Sequence, residues 1–128
     1  MSLAGRRAMV VDDSVIAASK LRVALESLGH TVVGSAASGA DAPALYRDLR
    51  PDFVTMDIVM PDMDGVQATR EILSEFPDAV VIMVTSLGQE RMVMDALKAG
   101  ALGYIVKPIK AEAISSTLDR LTSRFENR

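Results

Sequence analysis

The sequence predicts a single α/β domain built as a (βα)5 doubly wound parallel five-stranded sheet with helices on both faces. Two observations carry that reading. Five short apolar runs alternate with five stretches of helical periodicity, and most of the runs are too continuously apolar for strands with one wet face. The chain has 128 residues, 49% of them apolar, and no Cys, which suits one domain with one fold and excludes a disulfide scaffold, a thiolate metal site or a largely disordered chain.

The elements follow in order. The first run covers residues 8–11; Ser14 caps a helix whose Ala18, Leu21, Leu25 and Leu28 recur at spacings of three and four, and Gly29 stops it. His30, just beyond the stop, reads as a surface turn residue. The second run is 31–35, followed by a helix carrying Leu45 and Leu49. Pro43 is incompatible with an established helical turn, so this helix starts late or bends. The third run is 53–56, and Val66, Thr69, Leu73 and Phe76 mark the next helix before Pro77. The fourth run is 79–84; its helix spans 89–99 with Gly100 as the stop. The fifth run is 104–106, and Ile114, Leu118, Leu121 and Phe125 mark the last helix. Strict alternation with right-handed crossovers leads to the flavodoxin-like strand order 2-1-3-4-5.

Charge and hydropathy exclude other classes. Fourteen Lys and Arg against seventeen Asp and Glu give a net charge of −3, which is not the basic footprint of a dedicated nucleic-acid binder. The longest apolar run, residues 79–84, is far short of the roughly 20 residues of a bilayer span, and residues 1–7 carry no signal-peptide core. The expected location is the cytoplasm, with no membrane and no direct nucleic-acid contact.

Ligands of open α/β sheets bind where the strands end and the strand order reverses. Asp12 and Asp13 follow the first strand, Asp57 the third, Thr85 and Ser86 the fourth, and Lys107 and Pro108 the fifth. Three gathered carboxylates repel unless a positive charge joins them. All-oxygen ligation without nearby His or Cys suits a hard cation. Mg²⁺ fits best, because it is held by one or two carboxylates, keeps waters and is completed by phosphate oxygens. Lys107 adds a compact charge for phosphate and Thr85 a hydroxyl donor. A carboxylate beside such a metal serves as a nucleophile that forms an aspartyl phosphate, and Asp57, ending the central strand, is the candidate, with Asp12 and Asp13 as the metal-holding pair. Singly, each has an ordinary reading: Asp12 and Asp13 as helix caps, Asp57 as a loop acid, Thr85 as a turn cap, Lys107 as a solvated charge. Their coincidence at strand ends favours the site.

Four segments in sequence order now resemble a known family, the receiver domains of two-component response regulators, most closely their stand-alone chemotaxis type. They are the acidic pair in 10–14 (Val-Val-Asp-Asp-Ser), the phosphoacceptor loop in 56–65 (Met-Asp-Ile-Val-Met-Pro-Asp-Met-Asp-Gly), the hydroxyl motif in 84–86 (Val-Thr-Ser) and the lysine motif in 103–108 (Gly-Tyr-Ile-Val-Lys-Pro). The resemblance covers about residues 7–125, and a single receiver domain is assigned to 6–125 with no output domain in this chain. It implies that Asp57 accepts a phosphoryl group from a sensor histidine kinase or a phosphotransfer protein. Asp13, Asp57 and the Val59 carbonyl would bind Mg²⁺ directly, and Asp12 largely through water. Thr85 would follow the phosphoryl group, Lys107 would bind it, and the Lys107-Pro108 bond would be cis. Tyr104 matches an aromatic that turns inward on activation.

The same resemblance places a signalling face on the fourth helix, fifth strand and fifth helix. The fourth helix holds Met92, Val93, Met94, Ala96 and Leu97, more apolar surface than one buried face requires. Val93, Leu97, Tyr104 and Val106 are assigned to this face, which would bind a downstream target protein, as a monomer or a weak phosphorylation-dependent dimer. Val59 and Leu87 stand where many relatives carry polar residues that position the hydrolytic water, which implies slower loss of phosphate.

Three other functions compete. A phosphatase of the haloacid dehalogenase class needs a second Asp two residues after the nucleophile, where this chain has Val59. An FMN carrier needs hydroxyls and glycines in its first loop, where Asp12 and Asp13 would repel phosphate. A receiver excised from a larger DNA-binding regulator or effector enzyme, or an unphosphorylated scaffold, shares the whole pattern. The chain is expected to catalyse only its own phosphorylation and dephosphorylation.

Overall fold

Side chains alternate between the two faces of a strand, so a strand covered on both sides feeds two cores at once. The computed structural model describes residues 5–61 and 63–121 and runs β1 (Arg7–Val11), α1 (Val15–Ser27), β2 (Thr31–Ala36), α2 (Ala42–Leu49), β3 (Phe53–Asp57), α3 (Gly65–Glu75), β4 (Val81–Thr85), α4 (Glu90–Ala99), β5 (Gly103–Val106) and α5 (Ala111–Arg120). The sheet order is β2-β1-β3-β4-β5, with every pairing parallel, as predicted. Phe125 and the end of the assigned domain lie outside the described residues.

The alternation is plain in β4. Val81 and Met83 join Met9, Val11, Val54 and Met56 in the core beneath α2, α3 and α4, whereas Ile82 and Val84 join Ala8, Val10, Phe53 and Ile105 beneath α1 and α5. Leu21, Leu25, Ile114 and Leu118 close the second core. Truncating any of these to Ala removes about 2–5 kcal/mol of stability by the usual cost of a buried cavity.

Ser14 caps α1 as expected, and Asp64 caps α3, which the sequence reading did not assign. The Ser14 hydroxyl accepts the Ala17 N–H at 3.2 Å, and the Asp64 carboxylate accepts the Gln67 N–H at 2.9 Å. Pro43 falls in the first turn of α2, where its missing N–H has no partner to lose, so the helix starts late and is not broken. Its buried residues are Ala42 and Tyr46, with Leu45 and Leu49 only partly covered, so the inward face is turned from the one the two leucines suggested.

His30 corrects the sequence reading outright: it is buried, and its ring stands edge-on to Phe53 at 5.5 Å. The end of α1 explains why. Gly29 has a φ of 92°, its N–H donates to Glu26, and the His30 N–H donates to the Leu25 carbonyl at 3.1 Å. This is the Schellman arrangement, in which the residue after the glycine turns back against the fold. The His30 Nδ1 has no hydrogen-bond partner among the described residues.

Burial first, then Arg6, holds the His30 pKa below its ordinary value of 6.5, with Asp52 acting the other way. A depressed histidine makes the unfolded chain bind more protons than the folded one, so stability is lost as pH falls below that value. Urea unfolding at pH 7.5 and 5.5 is expected to show a larger loss on acidification for the wild type than for His30→Leu. Equal losses would mean that His30 titrates alike in both states.

Candidate functional site

The strand register brings the acidic residues together. Val10 pairs with Thr55 and Val11 with Met56, so the residues that follow, Asp12 on one strand and Asp57 on the next, emerge side by side at the carboxyl edge of the sheet. Oxygens of Asp12, Asp13 and Asp57 lie within 4.8 Å of one another. Lys107 reaches in from the end of β5, and its Nζ stands 3.5 Å from Asp12 Oδ2 and 3.5 Å from Asp57 Oδ1. The Lys107-Pro108 peptide bond is cis, as the resemblance implied.

Each acid has a distinct environment. Asp12 is buried, and its Oδ1 accepts the Ser14 N–H at 2.8 Å, which leaves Oδ2 facing the lysine. Ser14, not Asp12 or Asp13, caps α1. Asp13 is exposed at the rim. Asp57 is buried, and burial followed by the Asp12 charge pushes its pKa up to about 6, against the opposing pull of Lys107. Gly65 closes the floor: a Cβ there would collide with the Asp57 carbonyl oxygen, and the Gly65 N–H donates to the Ile58 carbonyl at 2.7 Å. Sequence reasoning passed over this glycine. An Asp-Gly at a helix start, just past a candidate nucleophile, is the signal that marks such a close approach.

The donor set fits a hard divalent cation. Three carboxylates converge, the chain contains no Cys, and the lone His packs on Phe53 away from the acids. Asp12, Asp13 and Asp57 are the residues that could hold it.

Thr85 belongs to the same edge, one residue beyond Val84, the cross-strand partner of Asp57. Its hydroxyl does not join the acids. It donates to Gln89 Oε1 at 2.6 Å, on the α4 side of the sheet. This bond spans the turn between β4 and α4, in keeping with the ordinary turn reading of Thr85, and it brings in Gln89, a residue the sequence reading missed.

The assigned partner-face residues lie apart from the acids. Val93, Leu97, Tyr104 and Val106 line a groove of about 390 Å³ along α4 and β5. Tyr104 is 47% exposed and Val106 is also exposed, but Val93 is buried and belongs to the core that α4 covers. Met94, 54% exposed on the next position of the helix, is the side chain that the outer face presents. Residues 92–97 are apolar apart from Asp95, so spacing alone does not say which of them the core takes. Val59, two residues after Asp57, and Leu87, two after Thr85, are both exposed.

Among the described residues no helix is long and apolar enough to cross a membrane. Residues 8–119 match the family model of the response regulator receiver domain. The chain is 38% identical over 118 residues to the chemotaxis protein CheY of Thermotoga maritima, covering 92% of this chain and 98% of that one. It is 43% identical over 115 residues to protein CcdB of Bacillus subtilis, covering 90% and 96% respectively. Among solved structures, the CheX-CheY-BeF3-Mg²⁺ complex from Borrelia burgdorferi aligns with a TM-score of 0.87 at 33% identity, covering 93% of this chain and 90% of that one.

The raised Asp57 pKa has a signed consequence for stability. Its charged form is penalised in the folded state, so the penalty is absent below about pH 4 and complete above about 6. Asp57→Asn is expected to stabilise the metal-free protein at pH 8 by on the order of 2 kcal/mol, with the gain shrinking as pH falls through about 6. Urea unfolding with a chelator present checks this, and a gain independent of pH would contradict it.

Proposed function

Because the chain belongs to the response regulator receiver family, we propose that it is a phosphorylation-dependent signalling switch whose phosphoacceptor is Asp57. The observation that carries this reading is Lys107 Nζ standing 3.5 Å from both Asp12 and Asp57 beside a three-carboxylate cluster. That arrangement offers a nucleophile, sites for a cation and a fixed positive charge for phosphoryl oxygens.

The reaction is a group transfer. An Asp57 carboxylate oxygen attacks phosphorus, an O–P bond forms, and the N–P bond to a donor histidine breaks, leaving the histidine to take a proton. Asp13, Asp57 and the Val59 carbonyl would hold Mg²⁺, with Asp12 acting through water, and a cation there would supply positive charge to offset that on the phosphoryl oxygens. Lys107 pairs with one of those oxygens, and the Thr85 hydroxyl donates to another. The raised pKa of Asp57 fits this role, since a crowded, partly desolvated carboxylate gains from a bound cation and a nearby ammonium. Val59 stands two residues after Asp57, where a phosphatase of the haloacid dehalogenase class needs its second Asp, which favours chemistry confined to the chain itself.

A sensor histidine kinase or phosphotransfer protein would supply the phosphoryl group in the cytoplasm. A downstream target protein would read the α4-β5-α5 face. The exposed Met94, Tyr104 and Val106 and the groove floored by Val93 and Leu97 support that placement. The CheY of the Borrelia burgdorferi complex is bound to CheX with BeF3 and Mg²⁺, which supports both the cation and a protein partner here.

Intact-mass spectrometry after incubation with acetyl phosphate is expected to show one added phosphoryl group, only with Mg²⁺ and only when Asp57 is present. No adduct under any condition would leave a scaffold role in its place. Once formed, the phosphoryl group is expected to be lost several-fold faster from a Val59→Asn, Leu87→Glu variant, because polar groups at the mouth orient the attacking water. Slower loss from the variant would overturn the role given to those two positions.

A further inference from the structure

The Thr85 hydroxyl has one proton to donate. It goes to Gln89 Oε1 at 2.6 Å, with the Ser86 carbonyl a poorer acceptor at 3.3 Å. The same Oε1 accepts the Ser86 N–H at 2.8 Å, so one side-chain amide gathers both polar groups at the end of β4. Thr85 is only 2% exposed, so water offers little competition for that proton.

Gln89 occupies the N-cap position of α4, yet its side chain makes no cap hydrogen bond. Such positions ordinarily satisfy the first free N–H groups of the helix. Here the side chain reaches back across residues 86–88 instead. That connection has little else to hold it: Leu87 is 85% exposed, and nothing lies within 4 Å of a Cβ built on Gly88.

We propose that Gln89 is a positioning residue for the phosphoryl reaction: it holds the Thr85 hydroxyl toward α4 in the resting protein and must surrender it to the phosphoryl group. The inference rests on the reading above, in which a phosphoryl group on Asp57 takes a hydrogen bond from Thr85. One proton faces two acceptors, and only one is served at a time. The occupied site therefore frees Gln89, and with it the connection leading into α4, where the groove lined by Met94, Leu97 and Tyr104 begins. The energy of this single bond sets a threshold for switching and links the site to the helix by contact alone.

The test measures binding of the phosphoryl mimic BeF3⁻ in saturating Mg²⁺, by titration of amide signals in the full chain. Gln89→Leu removes the acceptor and is expected to tighten binding about fivefold, the usual net worth of one neutral hydrogen bond, while Mg²⁺ affinity alone stays unchanged. Gln89→Asn, too short to reach, should move the same way and serves if the Leu variant folds poorly. Gln89→Glu keeps the acceptor and adds charge, and is expected to weaken binding. The tightening by Gln89→Leu and Gln89→Asn should vanish in a Thr85→Val background, which separates the lock from any general effect on α4. In the wild type, the Ser86 amide signal should shift on BeF3⁻ binding toward its position in Gln89→Leu. Unchanged or weaker binding by both Gln89→Leu and Gln89→Asn, or tightening that persists without the Thr85 hydroxyl, would overturn the proposal while leaving the phosphoacceptor reading intact. A wild type that binds no BeF3⁻ with Mg²⁺ would overturn both.

Discussion

Three carboxylates held within 4.8 Å of one another are the constraint around which the site is built. Nothing in local propensity favours that crowding. It follows from a parallel sheet, which ends adjacent strands at one edge and so delivers Asp12 and Asp57 to the same place. The fold accepts the electrostatic cost there because the rest of the sheet is apolar on both faces and stable enough to impose it. Lys107 relieves part of the repulsion from the fifth strand end, at 3.5 Å from two of the acids. At that separation, in a partly wet cleft, its attraction reduces the crowding without abolishing it, and Asp57 stays raised to about 6. A site left in that condition is stabilised by added positive charge. Its appetite for a cation is a direct consequence of its geometry.

The period of two along a strand also explains how the site is joined to a distant surface. Val84 faces the core beneath α1 and α5, so Thr85 faces the opposite side, beneath α4. The residue next to the acids is thereby aimed at a different helix from the one they adjoin. A shift of one residue in the β3-β4 register would send the hydroxyl to the wrong layer. Communication between the cluster and the α4 groove thus needs no long chain of intermediates. One buried threonine, standing at the boundary between two layers, hydrogen-bonds the residue that opens α4.

The fold was legible in the sequence because both faces of the sheet are buried, which turns strands into unbroken apolar runs such as 79–84 and leaves helices as the only periodic segments. Asp12, Asp13, Asp57 and Lys107 were legible for a related reason, since the ends of those runs locate the edge where the ligands gather. What escaped was set by packing. His30 looked like a turn residue because it follows a stop glycine, yet the hydrogen bonds of that stop drive it inward against Phe53. Met94 went unassigned although it is 54% exposed, because residues 92–97 are apolar apart from Asp95 and give little phase. Gln89 carries no motif, and its partner is known only once β4 and α4 are placed.

These misses share a cause that bears on function. Strand-end chemistry is written in residue types that local sequence exposes, whereas coupling depends on which rotamer a flexible side chain adopts after two elements meet. Gln89 could have capped its own helix, as its position invites, and its amide instead accepts from Thr85 and Ser86. The loss to α4 is small, because Glu90 and Arg91, which open it, are exposed to solvent. The gain is a bond that exists in only one state of Thr85. Two-state behaviour of this kind needs interactions that are individually modest and mutually exclusive, since a stronger lock would not yield to an incoming phosphoryl group. A neutral amide on a buried hydroxyl meets both conditions; a carboxylate at the same position would bind the proton too firmly and add charge beside an already acidic site.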